Sequence, residues 1–168
     1  MLIAEMNDLE IMAGDVGNAY LEAYTRGKIY FIAGPEFGEL EGTIMIIVKA
    51  LYGLKTSGAR YREHFADYLL ARDWFQSKAH PDIWMKDKED HWEYLCVYVD
   101  DILVMSKKPR EFMDELELTF KMKGVGAPVY HLGGAFQIMS NGKLAFGSKR
   151  ISKRYWISIR GCFQRGTE

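Results

Sequence analysis

Residues 94–105 read YLCVYVDDILVM. An apolar, β-branched and aromatic run, Tyr94–Val99, meets two adjacent acids, Asp100 and Asp101, and a second apolar run, Ile102–Met105, follows. Two strand-like runs joined by two polar residues predict a β-hairpin. Asp-Asp is a poor hairpin turn, because a type I′ turn needs positive φ at both positions and favours Asn-Gly or Asp-Gly. Two carboxylates at the tip also repel each other, and they stay ionised side by side only with a cation or hydrogen bonds to hold them. Such a turn is costly for stability and suited to a divalent metal. Acids are equally common in solvated turns, so this stretch alone leaves both readings open.

The chain around it has 168 residues, enough for one domain with a proper core. A hydrophobic content of 48% with 14% aromatics fits a globular chain and excludes a disordered one. Net charge is −1, so there is no overall basic signature of a nucleic-acid binder, which leaves only local patches. Cys96 and Cys162 are too few and too far apart for a disulfide framework or a zinc pattern. Cys96, inside the apolar run, is expected to be a buried reduced thiol. The N-terminal MLIAEMNDLE lacks the basic and apolar regions of a signal peptide. No run approaches the ~18 apolar residues of a membrane span. The sequence therefore reads as intracellular and soluble, with no membrane partner.

Periodicity supplies the remaining elements. Residues 8–16 carry a short apolar run ending at Asp15, and NAYLEAY reads as a short helix entered through Gly17 and Asn18. Residues 28–33 predict a strand, residues 34–42 a turn-rich loop, and the continuous β-branched run 43–51 a buried strand. The clearest helix spans about Ala59–Arg72, with Tyr61, Phe65, Tyr68, Leu69 and Arg72 on one face. Strands at Asp82–Lys86 and Trp92–Val99 flank the charged turn DKED. Pro109 opens a helix to about Lys121, with Phe112, Met113, Leu116 and Phe120 on its apolar side. Tyr130–Met139 and Lys143–Phe146 predict a hairpin across the Asn-Gly of SNG. This order predicts an α+β fold, an antiparallel sheet with helices packed on one face.

Five of these stretches together resemble the reverse transcriptase domain of copia-type LTR retrotransposon Pol polyproteins. They are DVGNAYL at 15–21, KALYGLKTSGARYREHF at 49–65, SKAHPDIWMK at 77–86, YVDDILV at 98–104 and FKMKGVGAPVYHLGG at 120–134. The resemblance covers about residues 10–147, in the family's order. It implies a palm domain and an RNA-directed DNA polymerase that adds deoxynucleotides to a primer 3′-hydroxyl on a template-primer duplex. Two Mg²⁺ ions, or Mn²⁺ in their place, are implied as cofactors. Hard cations of this kind need only a few carboxylates beside substrate phosphates and water.

Carried over residue by residue, Asp15 and Asp100 would bridge the two ions, Asp101 would be the more peripheral carboxylate, and the backbone carbonyl of Val16 a further ligand. Tyr20 matches the aromatic gate that selects deoxynucleotides, although an aromatic on a helix face more often simply packs. Gly53 and Lys55 belong to the loop that touches the nucleotide, where Gly allows close approach and Lys faces phosphate. Thr56 and Gly58 depart from the family's Gln and Pro there. Lys121 or Lys123 matches a lysine near the nucleotide phosphates, with Lys123 preferred. Tyr98, Leu132 and Gly133, beside His131, match the elements that hold the primer end.

The family's fingers strands would lie upstream of residue 1, and its thumb would follow residue 149. Residues 1–149 are accordingly expected to form a partial palm-like domain and 150–168 a divergent, poorly ordered tail. This is the pattern of a truncated or frameshifted copy, or of a piece of a longer polyprotein, with substrate binding weakened. The resemblance places such chains in cytoplasmic retrotransposon particles, with the product going to the nucleus. A catalytically inactive relic that keeps the α+β fold is the alternative.

Overall fold

The computed structural model describes residues 2–138 and 144–147. In chain order the elements are α1 (Leu2–Met6), β1 (Glu10–Val16), α2 (Ala19–Glu22), β2 (Tyr24–Ile32), β3 (Ile44–Lys49), α3 (Ser57–Leu70), β4 (Phe75–Gln76), β5 (Ile83–Asp87), β6 (Trp92–Tyr98), β7 (Asp101–Ser106), α4 (Pro109–Glu117), β8 (Met122–Gly126), β9 (Tyr130–His131), β10 (Gly134–Ile138) and β11 (Leu144–Gly147). The fold is α+β. Its main sheet is antiparallel, in the order β4-β5-β6-β7-β1-β8.

The β6–β7 hairpin sits at the centre because its residues are apolar on both faces. Leu95, Ile102 and Val104 join Val16, Trp84 and the buried faces of α3 and α4 in one core. Tyr61, Phe65, Tyr68 and Leu69 come from α3, and Phe112, Met113 and Leu116 from α4. Each such side chain contributes about 1.5–3 kcal/mol by leaving water. Met105, pointing to the opposite face, packs with Ala4 and Leu9. The one-face arrangement of helices therefore holds for α3 and α4, while the short α1 covers part of the other face.

Four expectations are corrected. The hairpin turn is Val99-Asp100, one residue earlier than the Asp-Asp reading, because Tyr98 pairs with Asp101 and Asp101 begins β7. Val99 takes φ 55°, so a β-branched residue occupies the left-handed position that glycine normally fills. The run 43–51 is not a buried strand. Among the described residues β3 pairs with β2 alone, in a two-stranded ribbon that leaves Ile44 at 74% exposure and Ile46 and Val48 exposed. The helix opened by Pro109 stops at Glu117, where Phe120 turns back into the core and β8 begins two residues later. Finally, α3 ends at Leu70, so Arg72 lies beyond it, its guanidinium over the Tyr68 ring.

One piece was not anticipated: the strand β8 closes the sheet edge next to β1. The expected terminal hairpin forms as the antiparallel pair β10–β11, while the 130–139 run is divided at Leu132-Gly133 into β9 and β10, so the three strands make a separate sheet. The SNG turn and the 150–168 tail lie outside the described residues. Among the described residues no helix is long and apolar enough to cross a membrane.

Candidate active site

Three chain segments converge at one end of the main sheet. The amide of Val16 donates to the carbonyl of Asp100 at 2.9 Å, which ties the end of β1 to the hairpin turn. Asp15 lies opposite Asp101 in the β1–β7 register and opposite Lys123 in the β1–β8 register. The Lys123 position depends on a bulge: two steps along β1, from Ala13 to Asp15, meet three along β8, from Gly126 to Lys123. Gly124 sits within the bulge at φ 59°, a conformation that other residues adopt only at a cost. Gly17, next along the chain, donates to the carbonyl of Lys121 at 2.7 Å.

Asp15, Asp100 and Asp101 are all half-buried. Burial pushes the Asp15 carboxyl above the ordinary carboxylate range, and the charges of Asp100 and Asp101 push it further. Lys123 acts in the opposite direction, while a hydrogen bond between the Asp15 and Asp100 carboxyls adds to the rise. Such crowding is what a bound cation reverses. The donors are all oxygen, which suits a hard divalent ion. Among the described residues, however, no group of three His, Cys, Asp or Glu side chains is arranged to hold a metal. The chain's own donors therefore reduce to the Asp15–Asp100 pair, with Asp101 across the strand, and other ligands would come from backbone, substrate or water.

An aromatic cluster borders the carboxylates. The rings of Tyr20 and Tyr52 are 4.5 Å apart and those of Tyr20 and Tyr61 6.3 Å. Burial, then Asp100, Tyr20 and Asp15, raise the Tyr52 phenol above its usual range. The loop carrying Gly53 (φ 99°) is thus brought beside the acids through Tyr52. Lys55, in the same loop, is exposed and makes no ion pair among the described residues. Gly58 lies near the Tyr20 hydroxyl, which an added Cβ would meet at 3.7 Å.

The opposite face carries the other expected group. A cleft of about 560 Å³ between the main sheet and the β9–β11 sheet is lined by Tyr98, Cys96, Leu103, His131, Leu132 and Phe136, among others. Burial lowers the His131 imidazole below its ordinary range, opposed by the charge of Asp101. Leu132 and Gly133 form the β9–β10 turn, both at positive φ. The structure therefore gathers Tyr98 and Leu132 in one cleft, with His131 within electrostatic reach of Asp101. Cys96 is a free thiol, half-buried, and burial pushes its pKa up.

Sequence reasoning singled out Gly17 only as a turn residue, Tyr61 only as a helix-face aromatic and Tyr52 only as a member of its loop. The signal available for Gly17 and Tyr52 was their closeness to assigned residues. For Tyr61 there was none, since an apolar helix face reads the same with or without a hydroxyl.

A profile of the reverse transcriptase (RNA-dependent DNA polymerase) family matches residues 1–153. The chain belongs to that family, in the form carried by copia-type retrotransposon Pol polyproteins. It is 28% identical over 120 residues to the Transposon Ty1-MR1 Gag-Pol polyprotein of Saccharomyces cerevisiae, covering 70% of this chain and 7% of that protein. It is 28% identical over 124 residues to the Retrovirus-related Pol polyprotein from transposon RE1 of Arabidopsis thaliana, covering 71% of this chain and 8% of the relative. It thus spans less than a tenth of these relatives' lengths. No solved structure matches.

Proposed function

We propose that this chain is the palm of an RNA-directed DNA polymerase and acts on deoxynucleoside triphosphates and an RNA or DNA template-primer, together with other parts of a Pol polyprotein. One observation carries the reading. Asp15, at the end of β1, and Asp100, in the β6–β7 turn, come from distant parts of the sequence and are brought together where the Val16 amide donates to the Asp100 carbonyl at 2.9 Å, close enough that Asp100 raises the Asp15 carboxyl. They would hold Mg²⁺ or Mn²⁺, with Asp101 more peripheral and the Val16 carbonyl as a further oxygen. Bound there, two such ions supply activation of the primer 3′-hydroxyl and neutralisation of the triphosphate charge.

The rest falls to the protein's own groups. Lys123, opposite Asp15, offers its ammonium to nucleotide phosphates and a proton to the leaving pyrophosphate. The Tyr20 ring, held against Tyr52, sits under the sugar and selects against a 2′-hydroxyl. Gly53 lets backbone approach the nascent base pair, and Lys55 meets phosphate. Tyr98, Leu132 and Gly133 hold the primer end along the cleft.

A second reading is a folded module that makes no DNA. It is favoured by the basic start of α3, whose arginines are already neutralised. Arg60 pairs with Glu63, and Arg62 with Asp82 at 3.4 Å. Primer extension on an RNA template with Mg²⁺ or Mn²⁺, beside an Asp100→Asn, Asp101→Asn double variant, tests the first reading. Extension by the wild type that disappears in the variant supports it. The absence of extension, with template-primer affinity insensitive to salt, favours the second, because genuine phosphate contacts make log K fall with log salt.

A further inference from the structure

One face of the β2–β3 ribbon is apolar and, among the described residues, uncovered. The register sets Tyr30 opposite Ile46 and Ile32 opposite Ile44, so these four share a face, and Val48, two residues beyond Ile46, joins them. Their exposures run from 47% at Ile46 to 74% at Ile44. The alternate residues Ile29, Phe31, Met45 and Ile47 point the other way and are half-buried. Single exposed hydrophobics are ordinary, but five large ones in one patch are not. The patch is on the order of 500 Å², toward the upper end of what a monomer shows.

Charge on the ribbon is sorted along its length. The tip between the strands, residues 34–42, carries Glu36, Glu39 and Glu41 and no base. Nearer its base β2 carries Arg26 and Lys28. Arg26 reaches Glu63 at 3.1 Å, with its side chain still 79% exposed. Lys28 and the three glutamates form no ion pair among the described residues. The ribbon is therefore acidic at one end and basic at the other, with an apolar face between.

That polarity selects a partner and a direction. Two copies stacked face to face with their strands reversed set each acidic tip against the other's basic base. Stacked in the same direction they would set glutamates against glutamates, and like charges across an interface cost affinity. A two-fold axis across the strands gives the favourable arrangement with the same contacts on both copies.

We propose that the apolar face of the β2–β3 ribbon is a homodimer interface, on which a second copy of this chain packs its own ribbon face to face, tip to base. The five apolar side chains of each copy form the centre, and Lys28 with the tip glutamates forms the polar rim. With that rim, the buried surface approaches the about 800 Å² per partner of a standard interface. The dimer does not depend on the metal-site reading above.

Sedimentation velocity of the whole chain over a concentration series tests it. The proteins are wild type, Ile44→Lys, the triple variant Glu36→Gln, Glu39→Gln, Glu41→Gln, and Leu118→Lys, with circular dichroism to verify the fold of each. Leu118, 87% exposed at the end of α4, is the control. Wild type is expected to pass from monomer to dimer as concentration rises. Ile44→Lys should weaken the dimer at least about tenfold, because two unpaired ammoniums would enter its centre. The triple variant should weaken it about threefold or more and flatten its salt dependence, while Leu118→Lys associates as wild type does. A readout that needs no variant comes from carbodiimide, which joins amines to neighbouring carboxyls. Applied to mixed isotope-labelled and unlabelled wild type, it should link Lys28 of one chain to Glu36, Glu39 or Glu41 of another. Wild type that stays monomeric throughout, with no such mixed links, overturns the proposal and leaves the face to a different partner. Association unchanged in a folded Ile44→Lys protein overturns it as well. Tighter association of the triple variant overturns the tip-to-base arrangement.

Discussion

Alanine at Gly17 tests how tightly β1 and β8 meet below the carboxylates. The φ of Gly17 is not positive, so alanine is conformationally allowed there. At such a position Gly→Ala ordinarily stabilises by about 0.4–1 kcal/mol, through the unfolded chain. Here the added Cβ would stand 2.8 Å from Lys123 Cε and 3.0 Å from the Lys121 carbonyl oxygen. The lysine tail can swing away. The carbonyl cannot retreat freely, because it accepts the Gly17 amide at 2.7 Å. Overpacking costs about 1–3 kcal/mol, and set against the entropic gain it leaves a net loss on the order of 1 kcal/mol. Urea unfolding of wild type, Gly17→Ala, Lys123→Ala and the double variant measures it. The expected result is a lower midpoint for Gly17→Ala, relieved in part when Lys123 is shortened, with an interaction energy of about 0.5 kcal/mol or more. A Gly17→Ala protein more stable than wild type would refute the close approach, and strictly additive effects would remove Lys123 from it.

Three further outcomes follow from other parts of the fold. Asp90 is held at a pKa of about 2, first by its hydrogen bond from Lys107 and then by that from His91. A depressed carboxylate contributes stability above its unfolded pKa of 3.8 and loses it as pH falls toward 2, so Asp90→Asn should lower Tm slightly at neutral pH and flatten Tm against pH across that window, the two proteins converging near pH 2. Val99→Gly should change stability by no more than about 1 kcal/mol, measured by urea unfolding, because relief of left-handed strain offsets lost packing and added chain entropy. A loss above about 3 kcal/mol would mean that Val99 is not strained. Leu95, fully buried at 0% exposure between β5 and β7, should cost about 2–5 kcal/mol as alanine in the same assay.

Much of this fold is legible because strong local patterns and tertiary packing agree. The apolar faces of α3 and α4, the β6–β7 hairpin and the left-handed Asn18 ahead of α2 all follow from residue type and spacing. The turn is misread by one residue because β-branched Val99 argues against a left-handed conformation that the register nevertheless imposes. The β3 run has the composition of a buried strand, and burial depends on what covers a strand, which composition does not encode. Strand β8 is hidden by its glycines, yet its bulge is what sets Lys123 opposite Asp15. At the site, Asp100 and Asp101 stand out as a costly turn, while Asp15 becomes visible only through the family's motif order. Strand pairing between distant segments leaves no mark on either one alone. The Tyr61 hydroxyl, buried with no hydrogen-bond partner among the described residues, is a property of packing and had no sequence signal at all.

The central claim is that Asp15 and Asp100 share one divalent ion. Replacing Mg²⁺ by Fe²⁺ in the presence of a deoxynucleotide, then generating hydroxyl radicals at the bound iron, maps the backbone nearest to it. The account predicts cleavage near residue 15 and near residue 100 together, suppressed at both places by Asp15→Asn alone. Cleavage confined to another acidic stretch such as Asp87–Asp90, or persisting near residue 100 in the Asp15→Asn variant, would contradict it.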